Sequence, residues 1–387
     1  MELTASKNGQ KHLKNNMDIQ LDTIESAIAD IKAGKVIIVV DDEDRENEGD
    51  FICAAETITP EIVNFMATHG RGLICTPIEE KRADELGLQM MVSSNTALHE
   101  TAFTVSIDLI GQGCTTGISA YDRSTGIKAL VYPETKPSDY ARPGHIFPLR
   151  AKKGGVLRRV GHTEAAVDFA RLAGLYPAGV LVEILNEDGT MARLPQLIEI
   201  AKKHNLKIVS IDDLVAYRLR SEQLIELKSS VTIDSKYGEL EILAYEQSTT
   251  GDIHLAIKKG DLRADQPALV RVHSVDRLTE IFKVMLDKKE SSLSKALSKI
   301  GEEGNGLLVL MRHHEKETDV LDLLKILKDP ANAQKFKKPT DYLRDYGTGA
   351  QIIRSLGIRK IRLITNNPNR KVGLIGYGLE VVENVEL

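Results

Sequence analysis

Short apolar runs alternate with amphipathic segments over the first half of the chain. Predicted strands occupy the apolar runs at 36–40, 72–75, 102–107, 180–185 and 207–211. Predicted helices occupy the segments 22–34, 59–69, 164–172 and 213–219. Asp22 and Glu25 form a capping-box pattern for the first helix, and Pro60 fits the first turn of the second. Strands that alternate with helices in this way predict a layered domain of the α/β class.

This alternation stops near Ser221, and a polar, basic link follows at 222–229. Strand-like runs then occur at 231–233, 240–245, 254–257, 268–272, 360–364 and 379–382. A chain of 387 residues is long enough for two domains with separate cores. We therefore expect a disordered tail at 1–17, a first α/β domain at 18–221 and a second at 230–387.

Seven carboxylates stand between Asp41 and Asp50, directly after the apolar run 36–40. Their mutual repulsion opposes a folded loop unless cations offset the charge. A solvated, disordered run is the ordinary interpretation of such a stretch. This one, however, lies between two apolar runs, 36–40 and 51–55, instead of in a tail or linker. It therefore favours a cage for a divalent cation such as Mg²⁺, in which Arg45 could hold a phosphate or carboxylate.

Other polar clusters stand where predicted strands and helices begin or end. The turn 114–120 offers hydroxyls and a glycine that fit either a phosphate cradle or an ordinary helix cap. Pro143 and Gly144 predict a rigid turn at 142–145 that presents His145. His162 also follows a glycine, and it lies beside Arg159 and Thr163 at a predicted helix start, which suits a phosphate. A lone histidine is more often structural than catalytic, but two histidines that each follow a glycine at such a junction weaken that preference. The structural and the catalytic interpretations of both histidines therefore stay open.

Glu183 lies inside the apolar run 180–185. A carboxylate in a buried strand is unfavourable unless it is paired, bound to metal or protonated more readily. Glu183 is therefore a candidate acid or base. The alternative is an edge strand on which Glu183 faces water.

Composition limits the classes of function. The net charge of −5 gives no indication of nucleic-acid binding, and no apolar run approaches the roughly 18 residues of a membrane span. Residues 1–16 lack the apolar segment of a secretory signal. Cys53, Cys75 and Cys114 are few and odd in number, which is typical of free thiols in a reducing cytoplasm. We expect a cytoplasmic protein with no membrane or nucleic-acid partner.

Four segments resemble one enzyme family in their order and spacing. Residues 41–50, 115–123, 142–149 and 161–165 are similar to those of 3,4-dihydroxy-2-butanone 4-phosphate synthase. The resemblance covers about Asp18 to Ser221. It implies a riboflavin-pathway enzyme that converts D-ribulose 5-phosphate to the four-carbon phosphate and formate without a redox cofactor.

The same resemblance implies site residues. Glu46 and His162 would bind Mg²⁺, with Mn²⁺ as the alternative. His145 and Glu183 match the family's catalytic residues: Glu183 would move protons at the sugar carbons, and His145 would position or protonate a departing oxygen. The implied substrate contacts are Arg45, Glu46, Asp50, Arg159, Val160, Gly161, His162, Thr163 and Glu183. Family members are dimers with sites near the subunit boundary, so we expect a homodimer.

The second half, about Ser230 to Leu387, resembles GTP cyclohydrolase II, which often follows the synthase on one chain. The matching segments are 271–274, 345–352, 365–368 and 376–380. That family holds a catalytic zinc on three cysteines, the first of them two residues after the matched Val-His-Ser triplet. Asp276 stands at that position, and no cysteine follows Cys114 anywhere in the chain.

A zinc site of that kind cannot form without thiolates, so zinc is not expected. Arg271, Arg344 and Thr365 match family positions and form a candidate degenerate site. We expect a monofunctional synthase whose second domain serves dimerisation, docking of partners or nucleotide sensing. The alternative is a bifunctional enzyme that retains cyclohydrolase activity.

Overall fold

A computed structural model describes residues 21–42, 45–97, 101–275, 292–312, 339–365 and 379–387, with the backbone alone at 274–275 and 339–346. The expected tail at 1–17 lies outside the described residues. The described chain forms two units, each built of helices and a sheet of seven described strands. This confirms the predicted two-domain α/β fold.

The first unit has seven described strands and seven described α-helices. Its helices are α1 (Ile24–Lys32), α2 (Pro60–His69), α3 (Glu80–Glu85), α4 (Ala120–Ala129), α5 (His162–Leu172), α6 (Leu194–His204) and α7 (Ile211–Ser221). Its strands are β1 (Ile37–Val40), β2 (Gly49–Ala54), β3 (Cys75–Glu79), β4 (Ile107–Leu109), β5 (Tyr140–Ala151), β6 (Gly179–Glu183) and β7 (Ile208–Ser210). The sheet order is β4-β5-β3-β6-β2-β1-β7, with β1/β7 and β3/β5 parallel and β2 antiparallel to β1 and β6.

Helices cover both faces of this first sheet. Ile37 and Val39 face a core shared with α1, α5 and α7, whereas Ile38 and Val40 face a second core shared with α2, α4 and α6. This period of two is the alternation expected of a strand that is buried on both sides. Strand β6 lies inside the sheet, between β3 and β2. The edge-strand alternative for Glu183 is therefore wrong.

The second unit contains the described helices α8 (Ser292–Glu303) and α9 (Pro339–Ser355). Its strands are β8 (Ile225–Ser235), β9 (Gly238–Gln247), β10 (Ile253–Lys259), β11 (Ala268–Val275), β12 (Gly306–Arg312), β13 (Lys360–Ile364) and β14 (Glu380–Val385). The sheet order is β14-β13-β11-β12-β10-β9-β8. Among the helices in the described part of the chain, none is long and apolar enough to cross a membrane.

The junction between the units is structured. The predicted link 222–229 is wrong from residue 225 onward, because β8 starts there and pairs with β9. Leu224 and Ile225, inside the supposed polar link, are buried. They belong to one continuous core that includes Leu219 of the first unit and Tyr245 of the second. The two units therefore share apolar packing.

The start of α1 differs from the capping-box prediction. Its N-cap is Thr23, whose hydroxyl accepts from the Ser26 N–H at 3.3 Å. The Asp22 carboxylate instead accepts from the Ile208 N–H at 3.0 Å and from Lys207 at 2.9 Å. Thr23 therefore provides the local cap, and the Asp22 side chain is used in a tertiary contact.

Two other local predictions need correction. The strand predicted at 102–107 is wrong: β4 begins only at Ile107, and Phe103 and Thr104 form isolated bridges to Leu149 and Met90. The rigid turn predicted at 142–145 lies within β5. In both segments, pairing with neighbouring strands overrides the local pattern of residues.

Candidate active site

The acidic stretch is a folded loop between β1 and β2. Asp41 organises it: its carboxylate accepts from the backbone N–H groups of Glu48 at 2.8 Å and Glu46 at 3.2 Å. Arg193 donates to the backbone oxygens of Glu46, at 3.0 Å, and Asn47. The disordered interpretation is therefore wrong for the described part of the loop; 43 and 44 lie outside it.

Glu46 and His162 converge as the resemblance implied. The Nδ1 atom of His162, the first residue of α5, lies 4.0 Å from Glu46 Oε2. Its Nε2 atom lies 3.1 Å from the Val39 carbonyl oxygen, which can only accept, so Nε2 carries the proton. Nδ1 then keeps its lone pair on the side of the carboxylates, where it can bind a metal ion. Burial lowers the pKa of His162, which favours the neutral ring that metals bind.

The site has the donors that a divalent cation needs. Ligand atoms of Asp41, Glu46 and His162 all lie within 4.8 Å of one another. Asp50 is buried on β2, with Oδ2 4.0 Å from His162 Nδ1, and among the described residues its Oδ1 has no hydrogen-bond partner. Burial, followed by the charge of Glu183, raises the pKa of Asp50 well above its usual value. Clustered carboxylates and an unsatisfied buried oxygen fit a bound Mg²⁺ or Mn²⁺.

Glu183 ends β6 directly opposite Asp50 of β2 in the antiparallel register. Its Oε2 accepts from the Leu73 N–H at 2.8 Å, which fixes the carboxylate at the end of the strand. The side chain is half-buried. Glu183 thus has both access to solvent and proximity to Asp50, as a proton-transfer group requires.

Two guanidinium groups converge at the start of α5. A Cβ atom added at Gly161, the N-cap, would lie 2.7 Å from Arg159 Nη1 and 3.2 Å from Arg45 Nη2. Arg45 is also paired with Glu46 at 2.7 Å, and Arg159 with Glu164 at 2.7 Å. The absence of a side chain at Gly161 therefore leaves room for the guanidinium groups of Arg45 and Arg159 at the N-terminus of α5. Two positive groups at a helix N-terminus suit a phosphate.

The remaining members of the predicted substrate segment lie around this point. Thr163 is buried in the first turn of α5, and Val160 packs against the core. Neither side chain has a polar contact that identifies it as a substrate ligand in the described structure. Their predicted role stays a prediction.

His145 lies apart from this cluster. It is on β5, which β3 separates from β6, so its backbone is about two strand spacings, or 10 Å, from that of Glu183. Its side chain is 45% exposed, and Nδ1 lies 2.7 Å from Asp108 Oδ2. The other Asp108 oxygen accepts from the His145 N–H at 2.8 Å. Asp108 therefore fixes the ring and leaves Nε2 pointing away from the pair.

The turn 114–120 serves as a helix cap. Ser119 is the N-cap of α4 and accepts from the Asp122 N–H at 3.0 Å. The Asp122 carboxylate accepts from the Gly117 N–H and the Thr115 hydroxyl, each at 3.0 Å. Of the two interpretations of this turn, the cap is confirmed.

The candidate site of the second unit is described only in part. Arg271 of β11 donates to the Ile364 carbonyl at 2.9 Å, beside the buried Thr365. These two residues therefore lie at neighbouring strand ends. The Arg344 side chain lies outside the described residues, as do Asp276 and the segments 366–368 and 376–378 of the motifs.

Three supporting residues were not predicted as such. Asp41 carried no distinguishing signal within an acidic run. Asp108 and Arg193 reach His145 and the acidic loop across 37 and 147 residues of chain, respectively. No local pattern in one sequence identifies such distant partners.

Comparison with known proteins assigns both units. A family model for 3,4-dihydroxy-2-butanone 4-phosphate synthase matches residues 25–217, and one for GTP cyclohydrolase II matches residues 226–386. The riboflavin biosynthesis protein RibBA of Cytophaga hutchinsonii is 55% identical over 95% of this chain and 93% of its own. This chain belongs to the RibBA family. The RibBA protein of Aquifex aeolicus is also similar, with 50% identity over 96% of this chain and 93% of its own.

Solved structures agree with the RibBA assignment. RibBX from A. baumannii, described as a two-domain 3,4-dihydroxy-2-butanone 4-phosphate synthase, matches with a TM-score of 0.78 and 40% identity over 94% of this chain and 99% of that one. A synthase in complex with two magnesium ions matches with a TM-score of 0.50 and 41% identity over 52% of this chain and 98% of that one. The chain is therefore a riboflavin-biosynthesis protein with a synthase unit and a second unit of the cyclohydrolase II family.

Proposed function

We propose that the first unit converts D-ribulose 5-phosphate to 3,4-dihydroxy-2-butanone 4-phosphate and formate, with Mg²⁺ or Mn²⁺ bound by Glu46 and His162. The two products together contain every atom of the substrate, so the reaction needs no oxidant or reductant. The observation that carries the proposal is the convergence of Glu46, Asp50, His162 and Glu183 at one end of the sheet. The magnesium complex of the similar synthase supports the choice of cation.

The chain's own groups account for binding and proton transfer. Arg45, Arg159 and the N-terminus of α5 bind the phosphate, which places the sugar carbons toward Glu183. Glu183 removes and returns protons at those carbons, and the Asp50 carboxyl lies opposite it in the register of β2 and β6. A divalent cation, when bound, would polarise the sugar oxygens and acidify the adjacent C–H bonds.

Substitution of Glu183 by Gln tests this assignment. We expect Glu183→Gln to abolish release of formate from ribulose 5-phosphate, because the amide cannot accept the proton, while substrate still binds in calorimetry. Glu187→Gln, an exposed glutamate four residues away, is the matched control and should turn over normally. Normal turnover by the Glu183 variant would defeat the assignment.

We further propose that the second unit no longer opens the guanine ring. Every cysteine of the chain lies at or before residue 114, so the second unit has no thiolate for a catalytic zinc. The match to the cyclohydrolase II family and the shared RibBA name favour the alternative, a bifunctional enzyme. RibBX, similar over nearly the whole chain, is described as a synthase only. Measurement of bound zinc and of GTP turnover separates the two possibilities.

The synthase works as a homodimer in our proposal, with His145 supplied across the subunit boundary. His145 is half exposed, and its backbone lies about 10 Å from that of Glu183 within one chain. Large apolar side chains are also exposed in this unit at Leu73, Ile110 and Ile118, which suits a subunit interface. A mixture of His145→Ala and Glu183→Gln subunits should regain part of the activity, since one shared site then has both residues. Activity no higher than in either variant alone, despite mixed dimers by native mass spectrometry, contradicts the shared site.

A further inference from the structure

The second unit holds the end of α7 through one amide side chain. Gln351 in α9 donates to the Leu219 carbonyl at 2.7 Å and the Glu222 carbonyl at 2.8 Å. Its amide oxygen accepts from the Leu224 N–H at 2.8 Å. Both donors and the acceptor are therefore used on the segment by which the chain leaves the first unit. This side chain fixes the C-terminus of α7 against α9.

The end of α7 in turn holds the loop 152–161. Arg218 donates to the Glu222 carboxylate from Nε at 2.7 Å and from Nη2 at 2.8 Å. Its Nη1 donates to the Gly154 carbonyl at 2.8 Å and to Asp168 Oδ2 at 2.7 Å. Arg218 therefore connects the residue that Gln351 holds to both the loop and α5.

Helix α5 holds the same loop from the other side. Asp168 accepts from the Val156 N–H at 2.8 Å, and Glu164 accepts from the Lys152 N–H at 3.0 Å and from Arg159 at 2.7 Å. The loop is thus fixed at its start, middle and end by two buried carboxylates. Since this loop carries Arg159 and leads into the N-terminus of α5, its position sets the position of the proposed phosphate site.

A second contact reaches this loop directly. Gly154 has a φ of 98°, and a Cβ atom there would lie 3.1 Å from the Thr249 carbonyl oxygen in the turn between β9 and β10. The Thr249 hydroxyl accepts from Gln247 at 2.9 Å, and Gln247 lies 2.9 Å from Nε2 of the fully buried His254. The turn is therefore anchored in the core of the second unit, and it packs against the loop of the first.

We propose that the second unit positions the substrate loop of the synthase, with Gln351 as the positioning residue that carries this effect across the junction. The inference rests on the proposed role of this loop in phosphate binding. It gives the second unit a task that is independent of guanine chemistry. It also explains why the two units share one apolar core.

The full-length Gln351→Leu variant tests the proposal, with Arg354→Ala, an exposed position of the same helix, as the control. Loss of three hydrogen bonds should raise KM for ribulose 5-phosphate at least about fivefold, with kcat changed less than about twofold. Trypsin should also cut faster after Lys152, Lys153 or Arg158, measured by mass spectrometry well below the melting temperature. Cleavage needs no turnover, so it separates failure of this proposal from failure of the proposed function.

Unchanged KM and unchanged cleavage in a folded Gln351→Leu variant overturn the proposal. Equal changes in Arg354→Ala also overturn it, because they would indicate a general effect of the helix. If the leucine variant does not fold, Gln351→Glu keeps the size and the acceptor but loses both donors. We then expect the same rise in KM and the same faster cleavage of the loop in Gln351→Glu. Absence of both changes in that variant also overturns the proposal.

Discussion

The buried ion pair between Arg218 and Asp168 gives the clearest quantitative prediction. Each side chain is 2% exposed, and the pair joins α7 to α5 at 2.7 Å. Substitution of Arg218 by Met keeps much of the apolar volume but leaves the Asp168 carboxylate buried without this partner. Breaking a buried pair from one side costs about 3–5 kcal/mol, because one charge remains without compensation. At about 2–4 °C per kcal/mol for a unit of this size, we expect a fall in Tm of roughly 6–20 °C.

The stability lost in the Arg218→Met variant should increase with pH. Burial raises the pKa of Asp168, and Arg218 and Arg171 oppose that shift. Without Arg218 the pKa of Asp168 rises further. A folded-state pKa above the unfolded value means that stability is lost as pH rises through the folded pKa. The deficit of the Met variant relative to wild type should therefore be larger near pH 8 than near pH 5.

Differential scanning calorimetry of the full chain measures this effect, read as the midpoint of the synthase transition because two units need not unfold together. Arg220→Met is the matched control: it lies exposed on the same helix and should change stability by less than about 0.5 kcal/mol. Adding Asp168→Asn to the Arg218 variant should recover part of the loss, because no charge is then left buried. A loss below about 1 kcal/mol, or a double variant no more stable than the single one, would refute this reasoning.

Three further predictions concern the site. Asp50→Asn should stabilise the metal-free protein and lower synthase turnover. It should also remove the loss of stability that wild type shows as pH rises through the raised pKa of Asp50. An unchanged pH dependence of unfolding contradicts the raised pKa. Asp108→Asn should lower kcat at least about tenfold with little change in KM, since it alters the hydrogen bond that orients His145; equal kcat in wild type and variant contradicts this positioning. Glu46→Gln should weaken Mg²⁺ or Mn²⁺ binding in titration calorimetry at least about tenfold, and undiminished affinity would remove Glu46 from the metal site.

Local signals predicted much of the fold. Thr59 and Pro60 begin α2 as their cap and first-turn preferences indicate, and the acidic loop lies between two buried strands as the apolar runs imply. The start of α1 was misplaced because Asp22 finds the Ile208 N–H, a partner that lies on a distant strand. Local propensity is therefore overridden where a side chain gains a better tertiary partner.

The prediction of the candidate site depended more on the resemblance to the synthase family than on the chemistry of the residue types. Residue types alone pointed to a cation at the acidic loop, but the pairing of Glu46 with His162 came from the family resemblance. Contacts between distant parts of the chain could not be predicted. Gln351, for example, contacts the end of α7, which is 132 residues away in the sequence. Such contacts depend on how the two units pack, which no periodicity in one segment encodes.

Formate release measured on the same purified protein with each of two substrates tests the central claim most directly. With Mg²⁺ and ribulose 5-phosphate, we predict formate in a one-to-one ratio with the four-carbon phosphate. With GTP, we predict no formate, even after addition of zinc, because the second unit has no cysteine to bind it. Formate from GTP together with stoichiometric bound zinc would contradict the account and establish the bifunctional alternative.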